Sequence, residues 1–436
     1  MRVLWLCNIM LPAFAKQVGM PFSNREGWLT GSFERLIREP ARSGSSKPLV
    51  ELGVCCPVPL KLDEGRYVID GVTFYSFHEN LDTPEIYDPS LETVFSNIIR
   101  DFKPDMVHIF GTEFPHALAM ARAFDEPDRT MVGIQGLCCS IADAYMADLP
   151  YSVQKRSTFR DRWRHDSLML QQKKFYKRAH NEELLIERVM HITGRTSFDR
   201  RVTSRINPQA MYHKVNETLR PQFYNDRWDR SRVEPYSIFL SQGDYPLKGF
   251  HYMLQAMPAI LVKFPEAHLY VAGNSIIGNQ GGVIKEKKKY PTPLWITSYG
   301  QYLKSLIREY HLEDHVTMLG KLDAEQMKDR FLKSHTFVCP SVLENSPNSL
   351  CEAMLLGMPV IAAKVGGIGD LVNDGEEGIL FPSGRYNELA EGVKTIFYDD
   401  TVAGWLGENA AQAAKVRHNP DTNFRRLLEV YRSITG

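Results

Sequence analysis

Two glutamates eight positions apart, Glu344 and Glu352 in the run ENSPNSLCE, and a Lys248-Gly249 pair far upstream are the residues whose types and spacing could do chemistry. An ionised carboxylate accepts hydrogen bonds from vicinal hydroxyls, so two acids beside an anion cradle suit a molecule that carries hydroxyls on both sides of a phosphate group. The N–H groups of Asn348, Ser349 and Leu350, expected at a helix start, would form such a cradle. Lys248 adds a cation in the loop before another helix. A Lys at a helix start is mildly unfavourable by itself, so its placement argues for an anion nearby. Ser349-Leu-Cys-Glu352 equally fits a capping box in which Glu352 closes the helix start, and Glu344 could then be an ordinary loop acid.

The elements that must hold these residues follow from the apolar rhythm. Residues 337–382 read as three short buried strands separated by two helices, with Gly357 and Pro359 ending the first helix, which is the pattern of a parallel sheet. In open α/β sheets ligands collect outside the carboxyl ends of the strands. The first half has the same rhythm, with buried strands expected at residues 3–7, 50–54, 67–77 and 106–110. The turn GTEFPH after the last of these places Thr112, Glu113 and His116 at the edge of the sheet. The strand ending VGIQG brings Gln135 to that edge, and MHITG leads into a turn that begins at Arg195.

The pair Glu344 and Glu352, followed by Ala353-Met354, a Gly-Met-Pro-Val turn and Gly366-Gly367, resembles the signature of retaining glycosyltransferases of family four. The resemblance implies an α/β protein of GT-B fold, with two Rossmann-like domains whose parallel sheets face across a cleft. By the same resemblance Glu344, with Asn345 beside it, contacts the donor sugar and Glu352 the nucleotide ribose. Lys248 takes the diphosphate, and Gly320 borders the base. Gln242 stands where the family commonly has an Arg, and Gln135 where many relatives have His. Glu26-Gly27 stands where two adjacent glycines are usual, so Gly27 is carried over alone. Thr112, Glu113, His116, Gln135, Arg195 and Gly27 make up the expected acceptor side of the cleft. The expected layout is an acceptor-side domain over 1–217, a charged linker over 218–235, a nucleotide-sugar domain over 236–418, and a last helix over 419–436 that crosses back to the first domain.

Composition narrows the alternatives. Of the 436 residues, Lys plus Arg and Asp plus Glu number 52 each, so no global field argues for nucleic acid. Seven Cys without C-x-x-C spacing fit neither a zinc site nor a disulfide framework, and a cytoplasmic location is the simpler expectation. Neither a metal nor a cofactor is expected beyond the nucleotide-diphosphate sugar as co-substrate. The expected partners are that nucleotide sugar and a glycan or lipid-linked acceptor. Residues 155–178 interleave Lys and Arg with aromatics, opposed by Asp161 and Asp166. They fit a solvated helical face, or a docking surface at the inner face of the plasma membrane. A sugar-nucleotide epimerase of the same fold and an inactive nucleotide-sugar-binding protein are the rival functions. A dehydrogenase rests on Gly367-Ile-Gly369 alone, since the third glycine of that fingerprint is Val372.

Overall fold

The computed structural model describes residues 1–20, 27–43, 48–274, 276–277 and 296–436. Glu26 lies outside them. The chain divides into two compact units, Met1–Ile141 with Lys174–Arg220 and His418–Gly436, and Ala142–Lys173 with Pro221–Arg417.

In the first unit, strands β1 (Arg2–Leu6), β2 (Glu51–Val58), β3 (Gly65–Ile69), β4 (Val72–His78), β5 (Met106–Phe110), β6 (Thr130–Gly133), β7 (His191–Gly194) and β8 (Met211–Lys214) form one sheet in the order β3-β4-β2-β1-β5-β6-β7-β8. All neighbours are parallel except β3 and β4. β1 lies inside the sheet, and its Val3, Leu4, Trp5 and Leu6 are fully buried, as befits a parallel strand covered on both faces. The single strand expected over 67–77 is instead a hairpin, because Asp70 and Gly71 both take positive φ at its turn. An Asp-Gly pair is a strong short-range hairpin signal. The closing helix, Pro420–Thr435, buries Phe424, Leu427, Leu428 and Tyr431 in the cluster that holds Trp5 and Val54. The Tyr431 hydroxyl accepts from Trp5 Nε1 at 2.8 Å and lies 2.7 Å from His108 Nδ1.

The second unit carries β9 (Ser237–Leu240), β10 (His268–Ala272), β11 (Val316–Gly320), β12 (Thr336–Cys339), β13 (Val360–Ala363) and β14 (Ile379–Phe381), all parallel, in the order β11-β10-β9-β12-β13-β14. Ala142–Lys173, which the sequence reading placed inside 1–217, clusters with this unit. The reason is polar anchoring. The Tyr252 hydroxyl donates to Asp148 Oδ2 at 3.1 Å, and Ser298 N donates to Asp161 Oδ2 at 2.9 Å. Asp161 is buried and closes a capping box with Thr158, and its Oδ1 also lies 3.4 Å from Arg160 Nη1, so it both anchors the segment and offsets one of its basic residues.

Candidate active site

The second unit brings Lys248 and Glu344 together. Lys248 ends a short turn, Pro246–Lys248, after β9, and Glu344 stands in the loop after β12. Lys248 Nζ donates to Glu344 Oε1 at 2.6 Å, with side-chain exposures of 19% and 10%. Ser341 Oγ donates to the same carboxylate oxygen at 2.8 Å. Burial by itself lowers the Lys248 pKa, but the Glu344 carboxylate and Tyr245 outweigh it, and the ammonium is held above its ordinary value. The pair is therefore a fixed cation and anion at the carboxyl edge of the sheet.

Backbone packing locks the three loops that meet there. Val342 N donates to Leu247 O at 2.8 Å, and Gly367 N donates to Glu344 O at 3.0 Å. Gly249 has φ +67°, and a Cβ on it would lie 1.8 Å from Pro340 O. Gly366 has φ +53°, and its Cβ would lie 1.8 Å from Glu344 O. No side chain larger than hydrogen fits either place, so the two glycines let the Lys248 loop and the Gly-Gly turn close onto the Glu344 loop.

Helix Asn348–Leu356 begins beside this pair in sequence, with Pro347 as its N-cap and no side-chain cap. The capping-box alternative for Glu352 is therefore not realised. Ser349 lies inside the first turn, and Glu352 is buried one turn further on. Leu350 N donates to Pro347 O at 3.1 Å, so the expected cradle of three N–H groups narrows to those of Asn348 and Ser349. Asn345 is buried. Gln242 stands two residues before Asp244, whose Oδ2 accepts from Asn274 Nδ2 at 2.7 Å and whose carboxyl pKa burial pushes up against that hydrogen bond. Gly320 ends β11 with φ +77°, and its carbonyl accepts from Gly273 N at 2.9 Å. Among the described residues no group of three or more His, Cys, Asp or Glu is placed to hold a metal ion.

The residues expected on the acceptor side lie in the first unit, and most are committed within it. Gly27 opens helix Gly27–Ser43. His116 is fully buried, with Nδ1 2.5 Å from Glu79 Oε2 and Nε2 2.9 Å from Asn8 Oδ1. Thr112 donates to Glu182, and Gly136 N donates to Glu113 Oε1 at 2.9 Å. Glu182 also accepts from Cys138 N at 3.0 Å and Cys139 N at 3.1 Å, and burial pushes its pKa up to about 7 against those hydrogen bonds. Arg195, expected on the acceptor side of the cleft, is buried and paired with Glu217. It also donates to Ile134 O at 3.2 Å. It lines a cavity of about 50 Å³ together with Gln135 and His108. The sequence reading missed Ser341, Glu79, Asn8 and Glu182. Glu79 directly follows β4 and Asn8 stands two residues past the end of β1, and those positions could have marked them. Glu182 lies inside helix Leu168–Arg188 and carries no such mark.

Comparison with known proteins locates this arrangement. Residues 224–413 match the family model described as glycosyl transferases group 1. A putative glycosyltransferase YtcC of Bacillus subtilis is 26% identical over 206 residues, 46% of this chain and 46% of that protein. The chain spans less than half the length of the curated relatives it matches. Sucrose-phosphate synthase of Thermosynechococcus elongatus superposes with a TM-score of 0.69 at 15% identity, covering 99% of this chain and 98% of that one. HepE of Anabaena, solved in complex with UDP-glucose, superposes with a TM-score of 0.64 at 15% identity, covering 99% of each. At such identities the likeness is one of fold, and the fold is GT-B.

Proposed function

We propose, on the premise that the second half belongs to the glycosyl transferases group 1 and the chain is a family-four-like glycosyltransferase, that it moves a hexose from a nucleoside diphosphate to a hydroxyl of a glycan or lipid-linked acceptor with retention at the anomeric carbon. The observation that carries this reading is the Lys248–Glu344 pair beside a helix start whose first N–H groups are uncapped. The bond from the anomeric carbon to the diphosphate oxygen breaks, and its electron pair leaves with the diphosphate. A new bond forms from that carbon to the acceptor oxygen, which releases its proton. Preorganised positive charge at the leaving group is the chief lever for such a step. The Lys248 ammonium and the N–H groups of Asn348 and Ser349 would supply it without a metal. Glu344 and Asn345 would hold donor hydroxyls, Glu352 the ribose, and Gly320 would border the base.

A thermal-shift panel of nucleotide sugars, followed by NMR assignment of the product anomer, tests the reading. Stabilisation by one donor and a product of the donor's own anomeric configuration are expected. An inverted product removes retention, and consumption of donor alone to an epimer replaces transfer by epimerisation.

The surface of residues 151–164 supports peripheral contact with the inner face of the plasma membrane. Tyr151, Phe159 and Trp163 are 65%, 58% and 68% exposed, and Lys155, Arg156, Arg162 and Arg164 are exposed among them. Aromatic and basic side chains together suit an anionic headgroup layer. Sedimentation with vesicles should show binding that needs anionic lipid and is lost in Trp163→Ala. Equal sedimentation with neutral vesicles removes the proposal.

A further inference from the structure

We infer that Ser341 is a positioning residue for the donor sugar: with Cys339 behind it and Lys248 beside it, it fills one oxygen of Glu344 and leaves the other for the sugar's hydroxyls; this rests on the glycosyl-transfer reading above.

The two oxygens of Glu344 are in different states. Lys248 Nζ donates to Oε1 at 2.6 Å, and Ser341 Oγ donates to the same oxygen at 2.8 Å. An ionised carboxylate has about four acceptor sites, two on each oxygen, so Oε1 is filled. Oε2 takes no hydrogen bond from any described residue and is open to solvent. Its two sites match a vicinal diol in which each hydroxyl donates once.

Lys248 alone does not fix this division. The last torsion of a Glu side chain is broad and two-fold, and an ammonium on a flexible stem can be met by either oxygen. A second donor from three residues away in the same loop sets which oxygen is turned to Lys248. Ser341 is 2% exposed, and its backbone is held on both sides. β12 ends two residues earlier at Cys339, and Val342 N donates to Leu247 O at 2.8 Å. The hydroxyl therefore starts from a fixed point, as that of a surface serine does not.

The direction of the hydroxyl proton is set from behind. Cys339 Sγ lies 3.6 Å from Ser341 Oγ. Burial first, and the Glu344 charge next, push the Cys339 thiol up to about 12, so it keeps its proton at neutral pH. Ser341 has one hydroxyl proton, and Glu344 takes it, so the proton between Cys339 and Ser341 is the thiol's. The result is a chain in which S–H points at Ser341 and O–H points at Glu344. A thiol is a weak donor, so Cys339 biases the Ser341 rotamer and the larger effect on Glu344 belongs to Ser341.

The test is calorimetry on the full chain with UDP-glucose, UDP-galactose, UDP-N-acetylglucosamine, ADP-glucose and GDP-mannose, each against its own nucleoside diphosphate. The ratio of the two affinities isolates what the sugar contributes. For the donor that binds, Ser341→Ala should reduce that ratio roughly tenfold and leave the affinity for the bare diphosphate within about twofold. Ser341→Thr, which keeps the hydroxyl, should retain most of the ratio, and Cys339→Ala should reduce it by a smaller factor. A serine with a merely structural role would lower the unfolding midpoint and weaken nucleotide sugar and diphosphate alike. An unchanged ratio in Ser341→Ala overturns the inference, as does equal weakening of both ligands. Should Ser341→Ala fail to fold, Cys339→Ala carries the test, and an unchanged ratio there overturns the inference. If no nucleotide sugar binds the unaltered chain, glycosyl transfer itself fails and the inference falls with it.

Discussion

Lys248 Nζ lies 2.6 Å from Glu344 Oε1, although 96 positions separate the two residues in the chain. The contact makes each the other's counter-ion at the edge where the parallel strands of the second unit end. Truncation to Lys248→Ala should cost roughly 1.5–3 kcal/mol of charged hydrogen bonding, about tenfold or more in rate. Initial rates with the donor found in the nucleotide-sugar panel read this directly. Turnover equal to that of the unaltered chain removes Lys248 from the mechanism.

Gly249 holds a left-handed φ of +67° with Pro340 O where a Cβ would lie. Gly249→Ala should therefore lose at least about 2 kcal/mol of stability, from the backbone conformation and the collision together. It should also weaken nucleotide binding, because the Lys248 loop can no longer close onto the Glu344 loop. Chemical denaturation and a UDP titration measure the two effects. An unchanged denaturation midpoint contradicts the packing described.

Glu182 gives the first unit a pH dependence of definite sign. Its native pKa of about 7 lies above the ordinary carboxylate value, so between about pH 4.5 and 7 the native state keeps a proton that the unfolded chain has released. Stability from this group is present below that window and is lost as pH rises through it, by roughly 3 kcal/mol. Glu182→Gln should flatten this part of the profile. Denaturant midpoints at pH 5 and pH 8 that shift equally in both proteins would rule the assignment out.

Tyr431 ties the last helix into the first unit through one hydroxyl that serves both Trp5 and His108. Burial drives the His108 pKa down to about 3, so its ring is neutral and Nδ1 can take the hydroxyl proton. Tyr431→Phe removes that hydroxyl and leaves two buried polar groups without it. A loss of about 2–4 kcal/mol follows, with little change in volume. Urea denaturation measures it, and a loss below about 0.5 kcal/mol would show that the buried groups find other partners.

The sequence by itself determined the layered α/β architecture, because near-continuous apolar runs such as VLWL and VIAA suit only strands covered on both faces. It determined the Glu344-to-Gly367 run and the Lys248-Gly249 pair as well, since their residue types and spacing are local properties of the chain. It did not determine that Lys248 and Glu344 are ion-paired, that Glu79 orients His116, or that Arg195 is committed to Glu217. Each of these joins loops that follow different strands, and only strand order and register decide which loops are neighbours. The placement of Ala142–Lys173 with the second unit was hidden for the same reason. Its anchors, Asp148 on Tyr252 and Asp161 on Ser298, are hydrogen bonds across more than a hundred residues of chain, and no local pattern of hydrophobicity or charge encodes them.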